Sequence, residues 1–221
     1  MGDDRAREGD PRGVTRIDVP ARRVARIGDG ALRWERGPND PRDPRALLDA
    51  LRAWPNVVDA IVTERHACVT FEPASPPIAP WNAVGAERDA RDIRTHVIPV
   101  RYDGPDLDEL AARASLTRDA FIALHAGRVY IVKLVGFLPG FAYLGDVDDA
   151  IAAPRRATPR PRIAAGSVGI GAYYTGIYPC PSAGGWNIVG TAIDFDAFDL
   201  ARGATLGLGD RVRFEAACAA S

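Results

Sequence analysis

The sequence predicts an α+β protein made of two units, a small mixed unit followed by a β-rich one. Hydrophobic residues make up 47% of the 221 residues and charged residues 26%, which is the composition of a globular chain with a core. The 22 glycines and 18 prolines favour short strands and turns over a bundle of long helices. A proline-rich segment at 73–80 separates the two units. We therefore expect a charged, disordered tail at 1–21, an α+β domain at 22–92 and a β domain at 93–221.

The first unit has the pattern of two hairpins joined by a helix. The turn Gly28-Asp29-Gly30 lies between two short apolar runs, as in a tight hairpin. Asp43 and Pro44 predict a helix start, because aspartate caps free N–H groups and proline suits the first helical position. The predicted elements are strands at 24–27 and 31–35, a helix between Asp43 and Pro55, and strands at 57–63 and 67–71.

Short β candidates broken by glycine and proline fill the second unit, which predicts a sandwich or a barrel. Before it, residues 81–93 have the pattern of a helix with one solvent face. Thr117 can cap a short helix in which Phe121, Ile122 and Leu124 are apolar. The predicted elements are helices at 106–114 and after Thr117, and strands at 96–100, 129–135, 167–172, 174–178, 186–189 and 211–214.

The charge balance and the cysteines exclude several classes of function. The formal net charge is −1, so the basic excess of a nonspecific nucleic-acid binder is missing. Cys68, Cys180 and Cys218 form no CxxC pair, so we expect no metal site and a reducing compartment. The N-terminal residues are acidic, and the longest uncharged stretch, 163–193, contains seven glycines. We therefore expect a cytoplasmic protein that does not enter a membrane.

The loop at 136–145, with the sequence GFLPGFAYLG, is a candidate wall of a small-molecule pocket. Its three glycines and one proline bend the backbone sharply, and its three aromatic side chains can line a cavity. The alternative is a tight connection whose aromatic residues fill the core.

Four arginines at 155–162 form a candidate anion site. They are the only charged residues between Asp149 and Asp194, and arginine binds carboxylate or phosphate through a two-pronged fork. The alternative is a solvated loop whose arginines pair with acids from elsewhere in the fold. Gly166-Ser167 and the run 184–187 (GGWN) would let a ligand approach the main chain, although they also suit a turn and a core position.

The sequence around the three histidines does not by itself indicate a catalytic or ligand-binding role. His125 follows a predicted helix, where the simple interpretation is an imidazolium stabilised by the helix C-terminus. His66 and His96 have no neighbours that indicate a ligand. The residues themselves therefore indicate a soluble β-rich protein with a candidate pocket for a small anion.

Several motifs in a fixed order resemble one known family. The motifs are 136–145 (GFLPGFAYLG), 154–160 (PRRATPR), 165–168 (AGSV), 175–179 (TGIYP) and 184–188 (GGWNI), with 102–107 (YDGPDL), His125 and, more loosely, 28–32 (GDGAL). Together they resemble the family of the 5-oxoprolinase B subunit, also called the allophanate hydrolase subunit 1 or kinase-inhibitor KipI family, over residues 23 to 216. The resemblance implies a small N-terminal α+β domain and a C-terminal cyclophilin-like β-barrel.

The resemblance also implies an activity and partners. Members of the family work with a homologous C subunit, which is similar to allophanate hydrolase subunit 2, and often with an A subunit. Together these cleave 5-oxo-L-proline to L-glutamate with hydrolysis of ATP. ATP would then be a co-substrate bound here or elsewhere in the complex, with no tightly bound cofactor. Two alternatives follow from the same family: a carboxyltransferase subunit of the urea carboxylase type, and a binding module that inhibits a histidine kinase.

Under the enzyme interpretation, the motif residues acquire expected roles. Arg156, Arg160 and Arg162 would hold a phosphate or the substrate carboxylate. His125 would move a proton or orient the substrate, and Ser167 and Asn187 would hydrogen-bond the lactam. The expected catalytic set is His125, Arg160, Ser167 and Asn187. The expected substrate-binding and anion-binding set is Phe137, Pro139, Gly140, Phe141, Arg156, Arg162, Gly166, Tyr174, Thr175, Tyr178, Gly184, Gly185 and Trp186.

Three positions depart from the family pattern. Tyr174 stands where the family usually has glutamine, Ala183 where it has proline, and Thr191 where it has arginine. These departures leave the exact substrate open.

Overall fold

A computed structural model describes residues 24–37, 40, 42–72 and 93–217. The chain divides into two compact units, Met1–Arg88 and Asp89–Ser221. The predicted tail at 1–21, the proline-rich segment at 73–80 and all but the last residue of the predicted helix at 81–93 lie outside the described residues.

The first unit is a four-stranded antiparallel sheet with one helix. Its elements are β1 (Val24–Ile27), β2 (Ala31–Glu35), α1 (Pro44–Arg52), β3 (Val57–Val62) and β4 (His66–Phe71). The strand order is β1-β2-β4-β3, and α1 packs against β3. The carboxylate of Asp43 accepts hydrogen bonds from the N–H groups of Arg45 and Ala46, and Pro44 is the first helical residue. The predicted strands, helix and cap of this unit are confirmed.

The core of the first unit follows the strand and helix periodicities. Alternate residues on the central strands are buried, while their neighbours face solvent. The α1 helix adds Leu47 and Leu51 from one face. The buried apolar residues of this unit are Leu32, Trp34, Leu47, Leu51, Ala60, Val62, Ala67, Val69 and Phe71.

The second unit is a closed barrel with two short additional sheets. Its elements are β5 (Thr95–Arg101), α2 (Leu107–Arg113), α3 (Arg118–Ala126), β6 (Val129–Val135), β7 (Ala142–Gly145), β8 (Arg160–Ile163), β9 (Ser167–Gly171), β10 (Tyr174–Ile177), β11 (Ser182–Gly184), β12 (Asn187–Ala192), β13 (Phe198–Asp199), β14 (Gly203–Ala204) and β15 (Arg211–Ala216).

Seven strands close the barrel in the order β10-β7-β6-β15-β5-β12-β9, and β10 pairs back onto β9. The β15–β5 pair is parallel, whereas the other neighbouring pairs are antiparallel. Closure leaves no unpaired strand edge in the barrel. The predicted α+β class is confirmed. Of the two predicted architectures for the second unit, a sandwich or a barrel, the structure has the barrel.

Five strands lie in segments where the sequence predicted none. The loop predicted at 136–145 ends in strand β7, because Ala142 and Leu144 alternate into the core. Strands β8 and β11 pair with each other outside the barrel, and β13 pairs with β14. All five have two to four residues, which is too short for a periodic apolar pattern.

An aromatic cluster covers the outer surface of β9 and β10. The Trp186 indole lies over Gly171 and Gly176, which have no Cβ to obstruct it. Phe141 makes edge-to-face contacts with Trp186 and Tyr178, with ring centroids 5.2 and 5.3 Å apart. The buried members of this outer cluster are Phe141, Ile163, Tyr178, Trp186 and Ile188. The barrel therefore has a core inside and a smaller apolar cluster outside.

We predict that Gly171→Ala destabilises the second unit. A Cβ at this position would lie 2.6 Å from ring atoms of Trp186, so the indole must move. Overpacking of this kind costs about 1–3 kcal/mol of the free energy of unfolding. Urea denaturation measures the loss, and Gly136→Ala is the matched control because its nearest atom would lie 4.0 Å away. Equal stability of the two variants would contradict this packing.

Candidate functional site

The buried carboxylate of Asp106 bonds two arginines of the 155–162 segment. Oδ1 of Asp106 accepts hydrogen bonds from Nη1 of Arg156 at 2.8 Å and Nη2 of Arg160 at 2.7 Å. Oδ2 accepts from Nη1 of Arg160 at 2.8 Å and from the backbone N–H of Ile188 at 2.6 Å. The Asp106 side chain is only 4% exposed, whereas those of Arg156 and Arg160 are 33% and 26% exposed. The cluster thus has a buried anion beneath two partly exposed cations.

The local chain explains why the carboxylate sits there. Asp106 directly precedes α2, and its own N–H donates to the carbonyl of Ile188 at 3.0 Å. Gly104 allows this approach, because a Cβ there would lie 2.3 Å from the Ile188 carbonyl oxygen. The loop before α2 is therefore pressed against β12, and the carboxylate faces the arginine segment.

Hydrogen bonds and neighbouring charges outweigh burial in the electrostatics of this cluster. Burial alone would raise the pKa of Asp106, but the hydrogen bonds from Arg160 and Ile188 and the arginine charges hold that pKa below its usual value. The hydrogen bond to Asp106 likewise raises the pKa of Arg160, against the effect of burial. The carboxylate of Asp106 is therefore ionised and the guanidinium of Arg160 is charged at neutral pH.

The remaining predicted arginine lies on the same short strand. Arg162 is exposed and follows Arg160 by two residues on β8, so both side chains project from one face. Arg155 is also exposed. Two further positive charges therefore flank the cluster, and the surface around it is suited to an anion.

Tyr178 and the glycine pair form a wall beside the arginines. A Cβ on Gly184 would lie 2.4 Å from the Tyr178 hydroxyl oxygen, so glycine is required for this close approach. The Gly185 carbonyl accepts a hydrogen bond from the Arg156 N–H at 2.7 Å. Burial raises the pKa of Tyr178, so the phenol stays protonated and can donate. These contacts place Tyr178, Gly184 and Gly185 with Arg156.

The loop at 136–141 presents one aromatic side chain to solvent. Phe137 is 61% exposed and has a φ of 76°, a conformation that is uncommon outside glycine. Gly140 has a φ of 81°, and a Cβ there would lie 2.5 Å from the Ala197 carbonyl oxygen. Pro139 is exposed, whereas Phe141 is buried in the outer cluster. Phe141 therefore fills a core, as one of the two alternatives for this loop predicted, whereas Phe137 faces outward.

Asn187 and the Gly166-Ser167 pair tie loops to the barrel. The Asn187 amide donates to the carbonyls of Pro154 and Ile170 at 2.9 and 3.2 Å. The Gly166 N–H donates to the Tyr178 carbonyl at 2.8 Å, and Ser167 is buried at the start of β9. Asn187 therefore anchors the chain just before the arginine segment.

His125 lies inside the barrel, away from the arginines. Its Nδ1 is 2.7 Å from the Tyr102 hydroxyl, and its Nε2 is 2.9 Å from Oγ1 of Thr175. The Thr175 hydroxyl donates to the Gly169 carbonyl at 3.0 Å. Thr175 must therefore accept from an Nε2–H, and the Tyr102 hydroxyl donates to Nδ1. The imidazole is satisfied as a neutral ring, stacked on Phe214 with centroids 4.9 Å apart.

The interpretation of His125 as a helix-terminal cation is wrong. Although His125 lies at the end of α3, its side chain is fully buried, and burial lowers its pKa to about 3. For Arg156 and Arg160, the alternative that the arginines pair with an acid from elsewhere in the fold is confirmed, because both bond Asp106. Sequence reasoning missed Asp106 as a site residue, although it lies within the motif at 102–107.

The three residues that depart from the family pattern lie in different surroundings. Tyr174 packs edge-to-face on Tyr143 with ring centroids 5.8 Å apart. Thr191 donates from its hydroxyl to Oδ1 of Asp103 at 3.1 Å. Ala183 is exposed on β11, beside Gly184. None of these three residues hydrogen-bonds the carboxylate of Asp106 in the described structure.

Comparisons with known proteins identify the family. The family model of the carboxyltransferase domain, subdomains C and D, matches residues 23–206. A 5-oxoprolinase B subunit of Escherichia coli O157:H7 is 35% identical over 208 residues, covering 85% of this chain and 93% of that protein. The chain therefore belongs to the family of 5-oxoprolinase B subunits, which are built on this carboxyltransferase domain. The resemblance that the sequence motifs indicated is confirmed.

Solved structures agree with this fold. The crystal structure of TTHA0988 is 35% identical with a TM-score of 0.74, and the match covers 86% of this chain. This chain spans 41% of the length of TTHA0988. The urea amidolyase of K. lactis matches at 16% identity with a TM-score of 0.64, covering 88% of this chain and 15% of that one, which shows a shared fold only.

Within 24–37, 40, 42–72 and 93–217, no group of three His, Cys, Asp or Glu side chains is placed to hold a metal ion. No helix in this part of the chain combines the length and the apolar character needed to cross a membrane.

We predict that burial of neutral His125 makes the second unit sensitive to mild acid. Below pH 6.5 the unfolded chain protonates this histidine, whereas the folded chain does so only near its pKa of about 3. Stability is therefore complete above pH 6.5 and falls as the pH drops towards 3, by about 1.4 kcal/mol per pH unit.

His125→Gln removes this contribution. The difference in free energy of unfolding between wild type and the variant should shrink by roughly 2–3 kcal/mol from pH 6.5 to 4.5, measured by urea denaturation. Gly136→Ala, which removes no titratable group, is the control and should retain the wild-type dependence. An unchanged difference at all pH values would show that His125 is charged or exposed.

Proposed function

We propose that this chain is a subunit of an ATP-dependent 5-oxoprolinase, which converts 5-oxo-L-proline, ATP and water to L-glutamate, ADP and phosphate. One observation carries the proposal: the similarity to a protein named as a 5-oxoprolinase B subunit extends over 93% of that protein, so both units of the chain are included. The proposal includes homologues of the enzyme's C and A subunits as partners. Because ATP is the co-substrate, the complex works in the cytoplasm.

The arginine cluster supports the proposal chemically. A lactam is unreactive, and transfer of a phosphoryl group to its oxygen opens it to attack by water. Both the substrate carboxylate and the phosphorylated lactam are anions, and guanidinium groups bind such oxygens through paired N–H donors. Arg156, with exposed Arg155 and Arg162 nearby, is positioned to bind an anionic oxygen at the surface. Tyr178 is buried in the outer cluster, so we assign it to supporting the chain beside the arginines.

The other expected roles divide between substrate contact and support. His125 and Thr175 are enclosed in the barrel, so we assign them to holding its interior together. Asn187 and Ser167 are buried, and we assign Asn187 to anchoring the loop before the arginines. Phe137 is exposed enough to contact a substrate or a partner protein. The catalytic water and the proton transfers are then assigned to groups from the partner subunits.

We predict that ATP-dependent glutamate release requires this chain and its arginine cluster. The chain is co-expressed with homologues of the C and A subunits, and L-glutamate and ADP are measured after addition of 5-oxoproline. Arg156→Ala should lower kcat/KM by about 10–100-fold, the usual effect of losing a charged donor to a reacting anion. Arg213→Ala is the matched control, since Arg213 pairs with Glu215 on the exposed face of β15.

Two results would contradict the proposal. One is equal activity of complexes with and without this chain. The other is a stable complex that binds biotin-linked carboxyl donors or a histidine kinase but does not turn over 5-oxoproline, which would favour the carboxyltransferase or the kinase inhibitor.

A further inference from the structure

We infer that Asp106 and Arg160 form a fixed pair that positions Arg156, and that Arg156 is the guanidinium that contacts the anionic substrate. The inference rests on the proposed function, since it assigns roles within the same site. It differs from the expectation from sequence, which gave Arg160 the catalytic role.

Arg160 forms a salt bridge with Asp106 through two hydrogen bonds. Its two terminal nitrogens donate to both carboxylate oxygens at 2.7 and 2.8 Å, which is the two-pronged arrangement. Asp106 is itself fixed by two backbone hydrogen bonds to Ile188, one through its carboxylate and one through its N–H. The pair therefore belongs to the framework of α2 and β12, and both terminal nitrogens of Arg160 are oriented towards Asp106.

Arg156 is held differently. Only its Nη1 donates to Asp106, at 2.8 Å, and its side chain is the more exposed of the two. Its Nε is shielded from solvent and has no hydrogen-bond partner among the described residues. A buried N–H donor without a partner is unfavourable. Binding of an anionic oxygen would let the Arg156 guanidinium rotate and give this donor a partner, which lowers the free energy of the bound state. The backbone N–H of Arg156 remains fixed on Gly185.

The charges set the class of ligand. Asp106 neutralises one of its two arginines, and the exposed Arg155 and Arg162 leave an excess of positive charge. A carboxylate or a phosphate group would satisfy the unused N–H groups of Arg156. The shared chemistry is a compact oxyanion, and the substrate offers both sources: the carboxylate of 5-oxoproline and the phosphoryl group.

A double-mutant cycle in the assembled complex tests the positioning role. We expect Arg156→Ala to raise the KM for 5-oxoproline or ATP by about tenfold or more, and Asp106→Asn to reproduce most of that change. The double variant should be no worse than Arg156→Ala alone, because Asp106 acts through Arg156. Arg156→Lys should restore part of the activity, since it keeps the charge without the fork.

Asp103→Asn is the matched control. Asp103 lies in the same loop, is partly exposed and bonds Arg101 and Thr191, outside the arginine cluster. The Asp103→Asn variant should have the KM and kcat of the wild-type complex. Arg160→Lys is the milder substitution if Asp106→Asn does not fold, and it should raise KM in the same non-additive way with Arg156→Ala.

Binding separates this inference from the proposed function. Titration calorimetry of the complex with 5-oxoproline and, separately, with inorganic phosphate shows which oxyanion loses affinity in Arg156→Ala and Asp106→Asn. If the complex does not hydrolyse 5-oxoproline but both variants lose binding non-additively, the inference stands and the proposed function falls. Multiplicative effects of the two substitutions, or binding lost in Arg160→Lys but not in Arg156→Ala, would overturn the inference.

Discussion

The buried carboxylate of Asp106 holds together segments that are far apart in sequence. Its oxygens accept from Arg156, Arg160 and Ile188, which follow it by 50, 54 and 82 residues. Without this anion the two guanidiniums would repel each other, and the Ile188 N–H would be buried without a partner. This ionised side chain therefore links the arginine segment, β12 and the start of α2.

A second set of polar contacts stabilises the barrel from inside. Tyr102, His125 and Thr175 form a continuous chain of hydrogen bonds that ends on the Gly169 carbonyl, and Tyr130 donates to the His125 carbonyl at 2.8 Å. Every member is paired, so the network specifies the packing of α3 against the strands instead of destabilising it. Tyr102 lies only a few residues before Asp106, so the same loop joins the interior network to the arginine cluster.

The part of the fold predicted from sequence is the part determined by local pattern. The elements of the first unit are found within a residue or two, because β2 and β4 alternate in burial and Asp43-Pro44 is an unambiguous cap. The strand order of the barrel could not be predicted from local sequence, because β5 pairs in parallel with β15, which lies far from it in the chain.

The contacts within the candidate site could not be predicted from local sequence either. The arginines were visible as a charge run, but no local pattern connects them to Asp106, and the helix-end position of His125 does not reveal that its side chain faces inward.

Two of the departures from the family pattern make their contacts away from the Asp106 carboxylate. Tyr174 extends the aromatic surface next to Tyr143, and Thr191 bonds Asp103 on the neighbouring loop. Both lie outside the set of groups that bond the Asp106 carboxylate in the described chain. Whichever residues stand at these positions, Arg156 would bind the anionic group of a ligand in the same way. The side chains around the rest of the ligand would discriminate between ligands by their size and polarity. Under the proposed function, the Asp106 cluster would recognise the anionic group, and other side chains would select one lactam over another.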